Sequence, residues 1–161
     1  MQKKELNISF EQYENIKELN GDDRNLLNEA IASTKSAYAP YSDFKVGAAV
    51  LLENGTIVKG SNQENAAYPS GLCAERVALF SAGAQHPGIK IKAIAVTAFK
   101  AKEPEPRPAS PCGACRQVMA EYEQFHKQNI RFIMIAADKK IIVAENVKSL
   151  LPFLFSGESL K

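Results

Sequence analysis

Apolar positions along the chain switch between two spacings, and the switches lay out an alternation of helices and strands. Leu26, Leu27, Ala30, Ile31 and Thr34 fall on one helical face. A helix is therefore expected to start at Asp22 or Asp23, with an acidic first turn, and to stop before Pro40. Residues 44–52 and 56–60 read as a hairpin about Asn54-Gly55, a pair suited to a tight turn. A polar loop of small residues, 62–71, leads into 72–84, where Val77, Ala78, Leu79, Phe80 and Ala82 leave the helix apolar nearly all round and so predict burial. Residues 91–99 predict a β-branched strand. Residues 101–111, with Pro104, Pro106, Pro108 and Pro111, predict a loop with stiff extended stretches. From Cys112 to Lys127 a third helix is expected, with Val118, Met119, Tyr122 and Phe125 on one face. Strands at 130–136 and 141–143, and a short helix or turn at 147–151 ended by Pro152, follow. Near the start, Leu6, Ile8 and Phe10 alternate with polar residues as in a short strand, and Asn20-Gly21 breaks the chain. The expected organisation is an extension over 1–22 and one layered α/β domain over 23–161, built on a mostly buried sheet.

The 161 residues suit one domain, and a chain of this size buries about 68–70% of its unfolded surface. Hydrophobic residues at 45% and charged residues at 24% argue against a disordered, collagen-like or disulfide-scaffold chain. Twenty basic and eighteen acidic residues leave a formal charge of +2. The basic pairs Lys3-Lys4, Lys90 with Lys92, and Lys139-Lys140 are interleaved with acids, which reads as a solvated surface of mixed sign. No stripe tracks a phosphate backbone, so a nucleic-acid polymer is not an expected partner. No apolar run approaches the ~18 residues of a membrane span, and the first twenty residues lack the apolar centre of a secretory signal. Three cysteines, an odd and low number, point to reduced thiols in a cytoplasmic protein rather than to a disulfide framework.

The cysteines carry the chemistry. Cys73 and Glu75 fall in the first turn of the second helix, Cys112 and Cys115 in the first turn of the third. Glu75 and Arg76 are charged on an otherwise apolar helix; burying a charge is costly unless it is paired or used, so Glu75 is a functional candidate, the alternative being an exposed helix edge. Cys-x-x-Cys in a first turn sets both sulfurs on one side, where free N–H groups and the helix dipole favour thiolates. Pro111 suits that helix start. A third thiolate from Cys73 would complete three ligands, the pattern of a catalytic zinc with an open position. Neither His86 nor His126 lies at a partnering spacing. Zinc would lower the pKa of its bound water to about 7, and Glu75, two residues from a ligand, suits a proton shuttle. Arg76 would offset the excess negative charge of the thiolates. Alone, Cys112-x-x-Cys115 also fits a redox pair or a structural zinc site; Cys73-Ala74-Glu75-Arg76 followed by Pro111-Cys112-Gly113-Ala114-Cys115-Arg116-Gln117 is far more specific.

These segments resemble the zinc-dependent deaminase signature in its three-cysteine form, with hydroxide attacking C4 of cytosine and a glutamate handling protons. The wider similarity is to the small free-nucleoside cytidine deaminases, through residues 38–49, 60–69 and 150–155. The resemblance spans about residues 26–160 and leaves 1–20 unexplained. It implies a three-layer α/β/α sandwich with a mixed sheet of about five strands. It implies one zinc per chain on Cys73, Cys112 and Cys115, with Glu75 carrying protons from water to N3 and to the departing ammonia. Phe44 would pack on the pyrimidine, Asn62 and Glu64 would bind the ribose 3′-hydroxyl, backbone groups of Ala66 and Ala74 would contact the base, and Arg76 would tune the thiolates. Tyr68 and Phe155 would reach a neighbouring subunit's site in a homotetramer.

Read without the resemblance, these positions keep other roles open. Asn62 and Glu64 share one face if extended, but also suit a turn. Phe44 heads a strand and suits the core, and Phe155 suits docking on a helix or a subunit interface. The expected reaction is hydrolytic deamination of cytidine and 2′-deoxycytidine in pyrimidine salvage. A deaminase for another base, a zinc-stabilised binding module and a thiol redox protein are the competing classes.

Overall fold

Asn20 begins a helix: its side-chain oxygen accepts the N–H of Asp23 at 2.9 Å, so the expected break is a cap and the helix starts at Gly21. The computed structural model describes residues 1–100 and 102–160. Ala101 of the proline-rich loop and Lys161 of the expected domain lie outside the described residues. In chain order the elements are β1 (Glu11–Tyr13), α1 (Gly21–Ser33), β2 (Phe44–Leu52), β3 (Ile57–Ser61), α2 (Ala74–Gln85), β4 (Ile91–Lys100), β5 (Pro106–Arg107), α3 (Gly113–His126), β6 (Arg131–Ile135) and β7 (Ile141–Ala144).

The sheet runs β1-β7-β6-β4-β2-β3, with β5 added to β4. Only β4 and β6 are parallel, joined by the crossover helix α3; the remaining pairs are antiparallel, so the sheet is mixed as expected. It has seven strands rather than about five. The two extra strands are three and two residues long, Glu-Gln-Tyr and Pro-Arg, too short to show a period. β1 is the edge strand beside β7, with Tyr13 opposite Ile141 and Glu11 ion-paired to Arg131 at 2.7 Å. The strand expected around Leu6, Ile8 and Phe10 is therefore displaced to residues 11–13, and those three apolar residues are exposed.

Strand alternation sends successive side chains to two different cores. Leu26, Leu27 and Ala30 of α1 meet Ala49, Ala93, Ala95 and Ile133 on one face. On the other, Ala78, Leu79 and Ala82 of α2 and Met119 of α3 meet Ala48, Val50, Ile94, Val96 and Phe132. The three layers are thus α1, the sheet, and α2 with α3. Two apolar expectations fail at the outer faces: Phe80 of α2 is 45% exposed and Phe125 of α3 is 70% exposed. α2 buries one stripe and α3's apolar face is narrower than its spacing suggests, because each helix meets the sheet on one side only.

Gly60 is where the sheet sets the height of α2. A Cβ there would lie 2.4 Å from the Ala78 nitrogen and 2.6 Å from the Ala74 carbonyl, both backbone atoms that cannot yield without moving the helix. Gly60→Ala is expected to lower unfolding stability by about 1–3 kcal/mol in a urea titration. Gly21→Ala, with open space around it, should stay within about 0.5 kcal/mol of the unaltered chain.

Candidate active site

Cys73 and Cys112 occupy matching places. Each is the residue before its helix, with extended backbone (φ −71°, ψ 151° and φ −68°, ψ 166°), and neither side chain caps the helix. Both sulfurs are thereby left free at helix N-termini, where unpaired N–H groups favour negative charge. Cys115, one turn into α3, is fully buried and supplies the third sulfur. Cys112 Sγ stands 3.8 Å from Cys73 Sγ and 3.4 Å from Cys115 Sγ, and all three sulfurs lie within 4.8 Å of one another. Tetrahedral zinc with Zn–S near 2.3 Å separates its sulfurs by roughly 3.8 Å, so the donor set fits in both chemistry and spacing. No other cluster of metal-ligating side chains occurs among the described residues. His126 is buried on α3, its Nδ1 accepting Ile91 N–H at 3.3 Å, and His86 closes the far end of α2. Neither lies in the sulfur cluster, and Cys73 and Cys112 line a cleft.

Glu75 follows Cys73 by two residues and is only 4% exposed, which removes the exposed-edge alternative. Burial, reinforced by the charge of Cys73, pushes its carboxyl above the usual carboxylate range. Arg76 points Nη2 at Cys73 Sγ at 3.8 Å, and its Nε is buried with no protein partner. That orphan donor beside the sulfurs is a second sign that the cluster receives charge. Hydrogen bonding from Cys115, then from Arg76, holds the Cys73 thiol down to about 5. Its hydrogen bond to Cys73, together with burial, pushes the Cys115 thiol up.

A cleft of about 690 Å³ opens onto these groups. Of the residues singled out in the sequence, Phe44, Asn62, Glu64, Tyr68, Cys73, Glu75, Arg76 and Cys112 line it; Ala66, Ala74, Cys115 and Phe155 do not. Ala74 is buried between two lining residues, Ala66 is exposed on the loop, and Phe155 is exposed with its carbonyl held by Gln117 Nε2 at 2.8 Å. Asn62 and Glu64 also hold the wall together. Asn62 Oδ1 accepts Val46 N–H at 2.8 Å while its Nδ2 donates to Phe44 O at 2.9 Å, extending the β2 pairing by a side chain. Glu64 accepts Tyr41 N–H at 2.9 Å and Ser42 N–H at 3.3 Å, along with the Ser42 hydroxyl. The Ser42 hydrogen bond leads the causes that hold the Glu64 carboxyl low. A carboxylate has about four acceptor sites, so capacity for a further donor remains. Sequence reading passed over Tyr41, Ser42, Val46, Leu72 and the 108–110 stretch, all of which line the cleft. Of these, only the Pro40-Tyr41-Ser42-Asp43 turn carried a local signal.

Residues 20–130 match the family model described as the cytidine and deoxycytidylate deaminase zinc-binding region. The chain belongs to this family. It is 40% identical over 148 residues to a cytidine deaminase of Halalkalibacterium halodurans, covering 86% of this chain and 98% of that one. It is 42% identical over 140 residues to a cytidine deaminase of Sporosarcina psychrophila, covering 86% and 95%. The crystal structure of cytidine deaminase from Burkholderia pseudomallei superposes with a TM-score of 0.69 at 41% identity, covering 81% of this chain and 97% of that one. The protein is a zinc-dependent deaminase by family, and its three-sulfur cluster is placed to hold a metal ion.

Zinc loading should be coupled to protons, because Cys115 holds its proton more tightly than a free thiol and must give it up to bind metal. Titrating zinc into the stripped protein at pH 7 in weak buffer should release at least one proton per ion bound. Affinity should fall as pH is lowered. Loading that releases no protons and ignores pH would contradict this arrangement.

Proposed function

We propose that the chain hydrolytically deaminates cytidine and 2′-deoxycytidine to uridine and 2′-deoxyuridine, with release of ammonia, in pyrimidine salvage. The carrying observation is a buried carboxyl group, Glu75, lining the same cleft as two sulfurs of the three-cysteine cluster. The names of the relatives, cytidine deaminases at 40–42% identity, support the choice of base. Bound zinc supplies a Lewis acid that brings the pKa of a water molecule from about 15.7 to about 7. Glu75 takes a proton from the attacking water, delivers it to N3 of the pyrimidine, and moves a second to the amino group as the C4–N bond breaks. Cytidine and water are thereby converted to uridine and ammonia with no other reactant. Phe44 lies along the pyrimidine; Asn62 and Glu64 hold the ribose; backbone groups of Ala66 and Ala74 meet the base; Arg76 neutralises part of the thiolate charge held by Cys73, Cys112 and Cys115.

A nucleoside is favoured over a nucleotide. Arg76 is the only cation lining the cleft among the described residues, and it is committed to Cys73. Among the described residues the cleft thus offers no free cation to pair with a phosphate. In this reading residues 23–161 form the deaminase domain and 1–22 an extension, and the enzyme works in the cytoplasm as a homotetramer. Tyr68 is 80% exposed and Phe155 60% exposed, which suits side chains that complete a neighbour's site.

Loss of ultraviolet absorbance, with matching ammonia release, should be rapid for cytidine and 2′-deoxycytidine and absent for cytosine, which lacks the sugar. Glu75→Gln should keep its zinc and lose about 10²–10⁴-fold in kcat. Persistence of all three substrates with zinc bound would reject the cytidine reading; an active Glu75→Gln variant would reject the proton shuttle.

A further inference from the structure

Cys112 is the exposed sulfur of the three, and its own side chain makes no cap contact with α3. What aims it is the peptide before it. Pro111 has no N–H, so its carbonyl is its only backbone group for hydrogen bonding. That carbonyl accepts from Arg116 Nε at 2.8 Å. The same guanidinium donates through Nη1 to the carbonyl of Leu150 at 2.8 Å, 34 residues away. Arg116 does not line the cleft.

The far end of this bridge is firmly held. Val147 is fully buried in the core shared by the sheet, α2 and α3, and Glu123, 1% exposed, accepts its N–H at 2.8 Å. The same carboxylate accepts Lys148 N–H at 3.3 Å and Ile130 N–H at 2.9 Å. Leu150 N–H closes the turn onto Val147 O at 2.9 Å. Segment 147–150 is thus an anchor fixed by a buried carboxylate, and Arg116 ties the Cys112 peptide to it.

We propose that Arg116 is a positioning residue of the metal centre, its two-carbonyl bridge between Pro111 and Leu150 holding Cys112 in aim so that zinc is retained. The proposal rests on Cys73, Cys112 and Cys115 being the ligands. A planar fork with fixed donors suits two carbonyls, whereas a lysine ammonium is a point charge that cannot reproduce that geometry.

The test follows zinc transfer from the loaded protein to a chromogenic chelator, beside the visible spectrum of the cobalt-substituted protein. Arg116→Gln should release zinc about 10–100-fold faster, with weaker thiolate-to-cobalt bands. Arg116→Lys keeps the charge and the aliphatic stem and should still release faster, which answers the question if the Gln variant does not fold. Wild-type release and unchanged cobalt bands in a folded Arg116 variant would overturn the proposal. Cys112→Ser releasing zinc no faster than the unaltered chain would overturn the ligand assignment itself, and the proposal with it.

Discussion

Three sulfurs gathered within 4.8 Å repel one another once ionised, and nothing in an ordinary core would keep them there. The structure holds them with two helix N-termini, each offering unpaired N–H groups and the positive end of its dipole. Arg76 adds a full positive charge at 3.8 Å from Cys73. The sheet supplies the remaining constraint. α2 rests directly on Gly60, and α3 lies in the crossover that joins β4 to the parallel strand β6. The two cysteines that precede these helices are therefore positioned by how the helices pack on the sheet.

The same economy governs the cleft. Asn62 and Glu64 are spaced to face one side, yet each spends hydrogen bonds on the walls: Asn62 on the backbone of β2, Glu64 on the Tyr41-Ser42 turn. Residues that would grip a sugar are thus pre-set by the protein's own backbone, which lowers the ordering cost of binding. Glu75, by contrast, has little solvent around it, and that burial, with the charge of Cys73, pushes its carboxyl above the usual carboxylate range.

Legibility in the sequence followed the range of the interactions. The Asn54-Gly55 hairpin, the β-branched strand at 91–100 and the third helix were readable because their determinants are local. The metal centre was readable because two short motifs name all three cysteines. β1 and β5 were not, since pairing to β7 and β4 rather than any internal period makes them strands. The buried Glu123 carries no local signal; its partners Ile130, Val147 and Lys148 lie 7 to 25 residues away and only the fold gathers them. Phe125 misled for the complementary reason, its helical spacing fitting a core that the single supporting sheet does not extend to cover.

The proposed chemistry needs a metal held by three thiolates with one position left open. X-ray absorption at the zinc edge of the loaded protein addresses that most directly. The account predicts three sulfur neighbours near ~2.3 Å and one oxygen neighbour near ~2.0–2.2 Å. A fourth sulfur, or a histidine nitrogen closing the shell, would contradict it and make the centre a structural one.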